Sequence, residues 1–507
     1  MSTVRPASGF EPLTGSRRAL GTFALATATF MNVLDASIAN VSIPAIAGDL
    51  AVSPSQGTWI ITSFAVSNAI SVPLTGWLTQ RFGQVRLFLA SVMCFVLFSL
   101  LCGMATSIES LIFFRILQGL SAGPTIPLSQ TLLLASYPSH MAGTALSWWA
   151  MTAMAAPVFG PLLGGWITDN IAWPWIFFIN VPIGVVAGGL IWAIYRNRDP
   201  GPKRVPLDVV GLVLLVVWVG ALQILIDTGK ELDWFESTQI VTLAVIAALG
   251  LAVFLAWELT ERNPVVDLRL FGSRNFVLGT ISVSMGYALY FGTIVLLPMW
   301  LQRSMGYTAF WAGLAMAPVG LFSVGLSPVV GRLVNRFDPR AISTVGFLMF
   351  ALVMWMRSLF TTDATFMVIV IPTVLQGIAV ATFFMPLQQV IYKGLTPSQM
   401  PAAAGLSNFV RITAGGFGTS ISTTAWEHRA AVHRSQLSES INPANTAAME
   451  WLQRAQEQGL SEMQSLAQLE QLMEQQAYTL AVADLFLISA VLFVLLTAVQ
   501  WMTRMKS

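Results

Sequence analysis

The chain has 507 residues, 55% of them hydrophobic and only 10% charged, where soluble globular chains carry about 25% charge. With 17 Trp, 22 Met and a mean hydropathy of +0.71, that composition excludes a soluble enzyme, a nucleic-acid binder and a disordered chain. The 26 basic and 24 acidic residues nearly cancel, so no polyanionic partner is implied, and the reading is an all-α, multi-span membrane protein.

Residues 1–19 form a polar tail with Arg5, Arg17 and Arg18. The apolar run 20–43 that follows exceeds the roughly 7–15 residues of a signal-peptide core, so it reads as an uncleaved first span. Further apolar stretches of spanning length lie near 57–79, 86–105, 110–135, 142–167 and 175–195, which complete a first group of six. Two more follow near 207–226 and 239–257, and a last six near 276–302, 308–334, 341–360, 365–391, 401–427 and 480–502. The expected organisation is therefore a tail (1–19), a six-helix bundle (20–195), a linker with two inserted spans (196–275) and a second six-helix bundle (276–507). The second bundle carries a long external loop over 428–478.

With the N-terminus inside, 18 of the 26 Lys and Arg fall in cytoplasmic segments. Five (Lys230, Arg303, Arg429, Arg434 and Arg454) fall outside, and Arg115, Arg357 and Arg411 fall within spans. This asymmetry places both termini in the cytoplasm. Cys94 and Cys102, eight residues apart in one span, are about 12 Å apart along a helix. A disulfide needs Cα atoms about 4.4–6.8 Å apart, so they read as membrane-buried thiols that do not pair with each other.

The sequence repeats itself faintly. Pro73, Gly76, Leu78, Arg81 and Phe82 match Pro328, Gly331, Leu333, Arg336 and Phe337 at an offset of 255. Leu117-Gln118-Gly119 and Pro127-Leu128 recur at Leu375-Gln376-Gly377 and Pro386-Leu387, offset 258 to 259. Both basic turns face one side only if an even number of spans separates the six-helix units, as the two inserted spans provide. Such duplication places a site between the halves near mid-membrane, in a carrier that rocks between two open states.

Thr29, Asn32 and Asp35 recur every three residues in the first span and share a helix face. A charged Asp inside a span costs about 2.5–3.5 kcal/mol and is usually functional. At about 1.5 Å per residue, Asp35 lies about 12 Å and Arg115 about 8 Å below the outer surface, so the two can share one layer. A proton-coupled carrier needs a carboxylate whose proton affinity changes with hydration and with a nearby cation. The plainer alternatives are a packing carboxylate at Asp35 and an Arg115 that snorkels to the interface. Further candidates for the transport path are Gln118, Gln130, Gln376, Gln388, Gln389 and Arg411. Tyr287 and Tyr290 serve either an apolar substrate or helix packing. In the fifth span, Gly160, Gly164 and Gly165 allow close approach and Pro161 permits a kink.

These segments together resemble the major facilitator superfamily, in its fourteen-span drug:proton antiporter branch. LDASIANVSIP is similar to that branch's first-helix signature, and Gly76 to Arg86, with Arg81 and Gly83, to the superfamily loop G-x-L-a-D-r-x-G-r-[rk]. Gln80 replaces the usual Asp, although Asp338 in the second copy offers a carboxylate. Arg115-Ile-Leu-Gln118-Gly119 resembles the R-x-x-Q-G motif associated with proton transfer. APVFGPLLGG, Ala156 to Gly165, resembles the antiporter motif G-x-x-x-G-P-x-x-G-G, with Ala for the first Gly. TWIITSF, WIFFINVPIG and GKELDWF are similar to multidrug-export members of the branch. The resemblance implies a major-facilitator fold with fourteen transmembrane helices, proton coupling at Asp35 and Arg115, and gating by the Gly, Pro and Arg positions of the motifs. It implies export of small hydrophobic compounds from the bacterial inner membrane, energised by the proton gradient without a cofactor. It also implies assembly with an EmrA-like periplasmic adaptor and a TolC-type outer-membrane channel. Uptake by a symporter of the same fold is the alternative, against which the Gly-Pro stretch argues.

In the external loop, Met463, Leu466, Leu469 and Met473 recur at helical spacing after a Ser461-x-x-Gln464 capping pattern, and such a stripe must cover the pump or dock an adaptor. His140, His428 and His433 are scattered and no Walker-type loop occurs, which leaves no motif for a membrane-embedded enzyme.

Overall fold

The computed structural model describes residues 11–504 except 53, 139–140, 199–205, 207, 230–231, 440 and 442–445. Arg5, His140, Lys203, Arg204, Lys230 and Lys506 thus lie outside the described residues. The described chain is all α, without a β-strand. The first bundle contains α1 (Gly15–Asp49), α2 (Pro54–Ser71), α3 (Thr75–Phe82), α4 (Gln84–Gly103), α5 (Ile108–Ala122) and α6 (Thr125–Ser136). It is completed by α7 (Ala142–Asn170), α8 (Trp175–Phe178) and α9 (Asn180–Tyr195). The inserted pair is α10 (Val209–Thr228) and α11 (Thr238–Thr260). The second bundle holds α12 (Arg274–Ser304), α13 (Ala309–Val334), α14 (Pro339–Ser358), α15 (Phe366–Tyr392), α16 (Met400–Glu439), α17 (Thr446–Glu457) and α18 (Glu462–Trp501).

Every predicted span has a helical counterpart. Eleven spans among the described residues are long and apolar enough to cross a membrane, and the bent pair α2–α3 makes a twelfth. The other two predicted spans, α7 and α16, are rich in Gly, Ala, Ser and Thr and pack centrally, α7 against α1 and α13, α16 against α12 and α18. Small residues let those backbones approach. Two spans expected to be continuous are interrupted: α2 and α3 meet at 62° around Pro73, and α5 gives way to α6 at Gly123-Pro124. Each proline lacks the N–H that an unbroken ladder requires. By contrast α7 runs through positions 157 and 161 without a break.

Helix starts are set locally. Ser107 and Ser110 form a capping box for α5, Thr308 caps α13, and Asp338 caps α14 ahead of Pro339 at its first turn. Gly83, at φ 89°, makes the sharp turn between α3 and α4 that a side chain would strain. The predicted loop 428–478 is largely helical. α16 runs on to Glu439, and α18 begins at Glu462 behind the expected Ser461–Gln464 capping box. The two form a hairpin tied by Arg434–Glu470, by Arg429–Asp484, and by His433 to Asp484 at 2.9 Å. Leu466, Leu469 and Met473 line the groove of this hairpin, Leu466 still 47% exposed, while Met463 (81%) stands outside it.

Candidate functional site

Asp35, halfway along α1, is fully buried, and so is Arg115 on α5. Arg115 Nη1 donates to Asp35 Oδ2 at 2.6 Å and to Gln118 Oε1 at 2.8 Å, while its Nε donates to the Ile60 carbonyl of α2 at 3.1 Å. Asp35 Oδ1 accepts from Gln118 Nε2 (3.1 Å) and from Asn180 Nδ2 (2.7 Å), which also donates to Ser99. The guanidinium carbon lies 4.2 Å from the centre of the Phe64 ring and 5.5 Å from that of Phe177. A charge pair stripped of water at this depth is tolerable because each charge finds its opposite and most remaining donors and acceptors find partners. The predicted pairing layer of Asp35 and Arg115 is therefore present.

The rest of the first-span face is spent inside its own bundle. Thr29 donates to Ser129 at 2.8 Å, and Asn32 donates to the Ala122 carbonyl at 2.9 Å. Gly160 and Gly164 of α7 lie against the flanks of Asp35. A Cβ at Gly160 would run into Ser37, and one at Gly164 would sit 2.8 Å from Ile38. Gly165 is on the same helix; the Pro161 side chain lies outside the described residues.

The halves meet across a seam. Gln130 of α6 accepts from Tyr392 Oη (2.9 Å) and Asn408 Nδ2 (2.8 Å), and Asn408 in turn accepts from Arg411 Nη2 at 2.7 Å. The Arg411 guanidinium lies 4.4 Å from the Tyr287 ring centre and 4.9 Å from that of Phe384, and Phe384 stacks on Trp149 of α7 at 5.4 Å. Trp149 donates to the same Ser129 hydroxyl that Thr29 reaches. A chain of contacts thus runs from the Asp35 helix to Arg411. Among the described residues no carboxylate lies within ion-pair distance of Arg411, whose Nε has no acceptor. Gln388 is buried nearby in sequence on α15 with both amide atoms unpaired. Gln376 lies elsewhere, inside the second bundle, bonded to Arg357 at 2.7 Å, and Tyr290 packs edge-on against Phe291 and tilted against Phe350.

The basic turns seal one side. A Cβ on Gly76 would stand 2.8 Å from Ala402 of α16, and one on Gly143 would stand 2.8 Å from the Gly331 carbonyl and from Asn335. Each turn's glycine thus lies against the opposite half. Arg81, Arg86 and Arg336 are exposed beside them. Asp338 is bound by Arg340 at 2.7 Å, a hydrogen bond that holds its carboxyl below the usual value. Sequence reasoning missed Asn180, Asn408 and Tyr392. A polar residue within an apolar span was their signal, but nothing in spacing named their partners.

Two bundles joined at a polar seam, with a buried ion pair in one of them, are the architecture of a multi-span membrane carrier. The chain belongs to the Major Facilitator Superfamily, whose family model matches residues 25–419. It is 49% identical to the multidrug export protein EmrB of Haemophilus influenzae, over 98% of each chain. It is 46% identical to the fatty acid resistance protein FarB of Neisseria gonorrhoeae, again over 98% of each. The fold is shared with the crystal structure of the human organic anion transporter MFSD10 (TM-score 0.57, 13% identity, 94% of this chain and 99% of that one).

Proposed function

We propose that the protein is a proton-driven antiporter that exports hydrophobic toxic compounds across the bacterial inner membrane, with both termini cytoplasmic and no cofactor beyond the proton gradient. The observation that carries this reading is the enclosed Asp35–Arg115 pair. As found, the Asp35 carboxyl faces the Arg115 guanidinium at 2.6 Å. A proton on Asp35 cancels its charge and leaves Arg115 buried with only neutral partners, a state that costs several kcal/mol unless the helices around it shift. The contact chain from Thr29 through Trp149 to Phe384 and Arg411 supplies a route by which that shift reaches the seam. The seal at Gly76 and Gly143 is the element that opens in response. Gln130, Tyr287 and Arg411 at the seam form the substrate path, while Asn32, Gln118, Tyr290 and Gln376 pack inside the bundles behind it. The relatives named for multidrug export and fatty acid resistance support a hydrophobic cargo. We further propose work in series with an EmrA-like periplasmic adaptor and a TolC-type channel.

The test is Asp35→Asn in a host stripped of its own pumps. The variant is expected to insert in the membrane, to melt earlier than the wild type because Arg115 keeps only neutral partners, and to lose export. Undiminished proton-dependent export by this variant would refute the assignment.

A further inference from the structure

Another carboxyl group lies where none of the antiporter motifs points. Asp227 closes the outer turn of α10, the first inserted helix. Its Oδ1 accepts from Gln223 at 3.1 Å, the Thr62 hydroxyl of α2 faces it, and its Oδ2 is buried without a hydrogen-bond donor. α10 packs against α2, α11 and α16, and among the described residues no charged side chain of those helices acts on Asp227.

The contrast with Asp35 is chemical. Asp35 faces a guanidinium and two amide donors. Among the described residues Asp227, itself partly buried, has only neutral partners and one enclosed oxygen without a donor, and a desolvated charge without a counterion is the arrangement proteins avoid by binding a proton. The two sites are also neighbours: Ile60, whose carbonyl holds Arg115, and Thr62 stand about 3 Å apart along α2. The same end of α10 is tied to the second half, because the Ile226 carbonyl accepts from Ser420 of α16 at 3.0 Å and Trp234 donates to Thr424 at 2.9 Å. Asp227 therefore occupies a bridge between the halves at their outer end, about half a turn of α2 away from the carbonyl that holds Arg115.

We propose that Asp227 is a second proton-binding group of the carrier, protonated while Asp35 remains paired with Arg115. Binding converts its carboxylate to a carboxylic acid with no other bond made or broken. Its place in transport rests on the antiport reading above; its protonation does not.

Infrared difference spectra of the full chain in liposomes, neutral against alkaline buffer, test this without any substrate. The wild type is expected to show the carbonyl band of a protonated carboxyl group, Asp227→Asn to lose it, and Asp35→Asn and Glu258→Gln to keep it. Asp227→Glu is expected to restore the band at a shifted position, and decides the matter if Asp227→Asn does not fold. A wild type without the band, or a band unchanged in Asp227→Asn or unshifted in Asp227→Glu, overturns the proposal. Export retained by Asp35→Asn would instead overturn the antiport reading and leave the band assignment standing.

Discussion

The two bundles are copies that have diverged at their centres. Shifting by 255 carries Asp35 to Tyr290 and Cys102 to Arg357; shifting by 258 carries Arg115 to Thr373 and Gln118 to Gln376. In the first bundle the Cys102 thiol reaches Gln118 at 3.5 Å; in the second, Arg357 reaches Gln376 at 2.7 Å and Thr373 at 3.3 Å. The scaffold of a residue on the third helix of each bundle reaching a glutamine on the fourth is kept. The carboxylate is not, since a phenol stands in its place. A guanidinium with neutral partners has nothing for a proton to neutralise. The difference teaches that the fold supplies two equivalent buried polar centres, and that only the first of them carries an acidic side chain.

That comparison can be broken most decisively at the two arginines. Arg115→Met strands Asp35 as an unpaired buried charge and is expected to lower stability by about 3–5 kcal/mol, seen as an early thermal melt of the purified protein. Arg357→Met strands no charge and is expected to cost less, about 1–3 kcal/mol, because it leaves only the neutral Gln376 Oε1 without its donor. Equal losses in the two variants would mean that the centres are energetically alike after all. Next in size are the seal glycines. Gly76→Val and Gly143→Val should each overpack the contact by about 1–3 kcal/mol, so that thiol reagents added on the side of the seal reach a cysteine introduced at the seam in place of Asn408 roughly tenfold faster. An effect from one alone would show that the symmetry of the seal is only geometric. The smallest effect belongs to the exposed hairpin pair, where Arg434→Ala should change the melting free energy by no more than about 0.5 kcal/mol.

What the sequence could disclose was whatever a helix's own geometry fixes. A buried Asp needs a compensating group, and residue rise placed Arg115 at its depth. Asn180, by contrast, lies 145 residues from Asp35 on a helix whose facing is decided only by packing. Gln130 was visible as polar, yet its partners Tyr392 and Asn408 are 262 and 278 residues away in the other half. Gln376 looked like a path residue by analogy with Gln118, and its actual partner, Arg357, entered the sequence reading only as a charge inside a span. The helix breaks at Pro73 and at Gly123-Pro124 were hidden because hydropathy does not register a missing N–H. Asp227 falls one residue past the apolar run 207–226, where hydropathy alone does not separate a helix end from a loop.

The outward hairpin has a mechanical consequence. α16 is one unbroken helix of 40 residues, about 60 Å long, whose inner end meets Gly76 at the seal and whose outer end stands beyond the bundle. A rotation of ten degrees about the inner end carries the tip through about 10 Å. Any tilt of α16 at the Gly76 contact would thus be magnified severalfold at the hairpin, because one rigid helix joins the two.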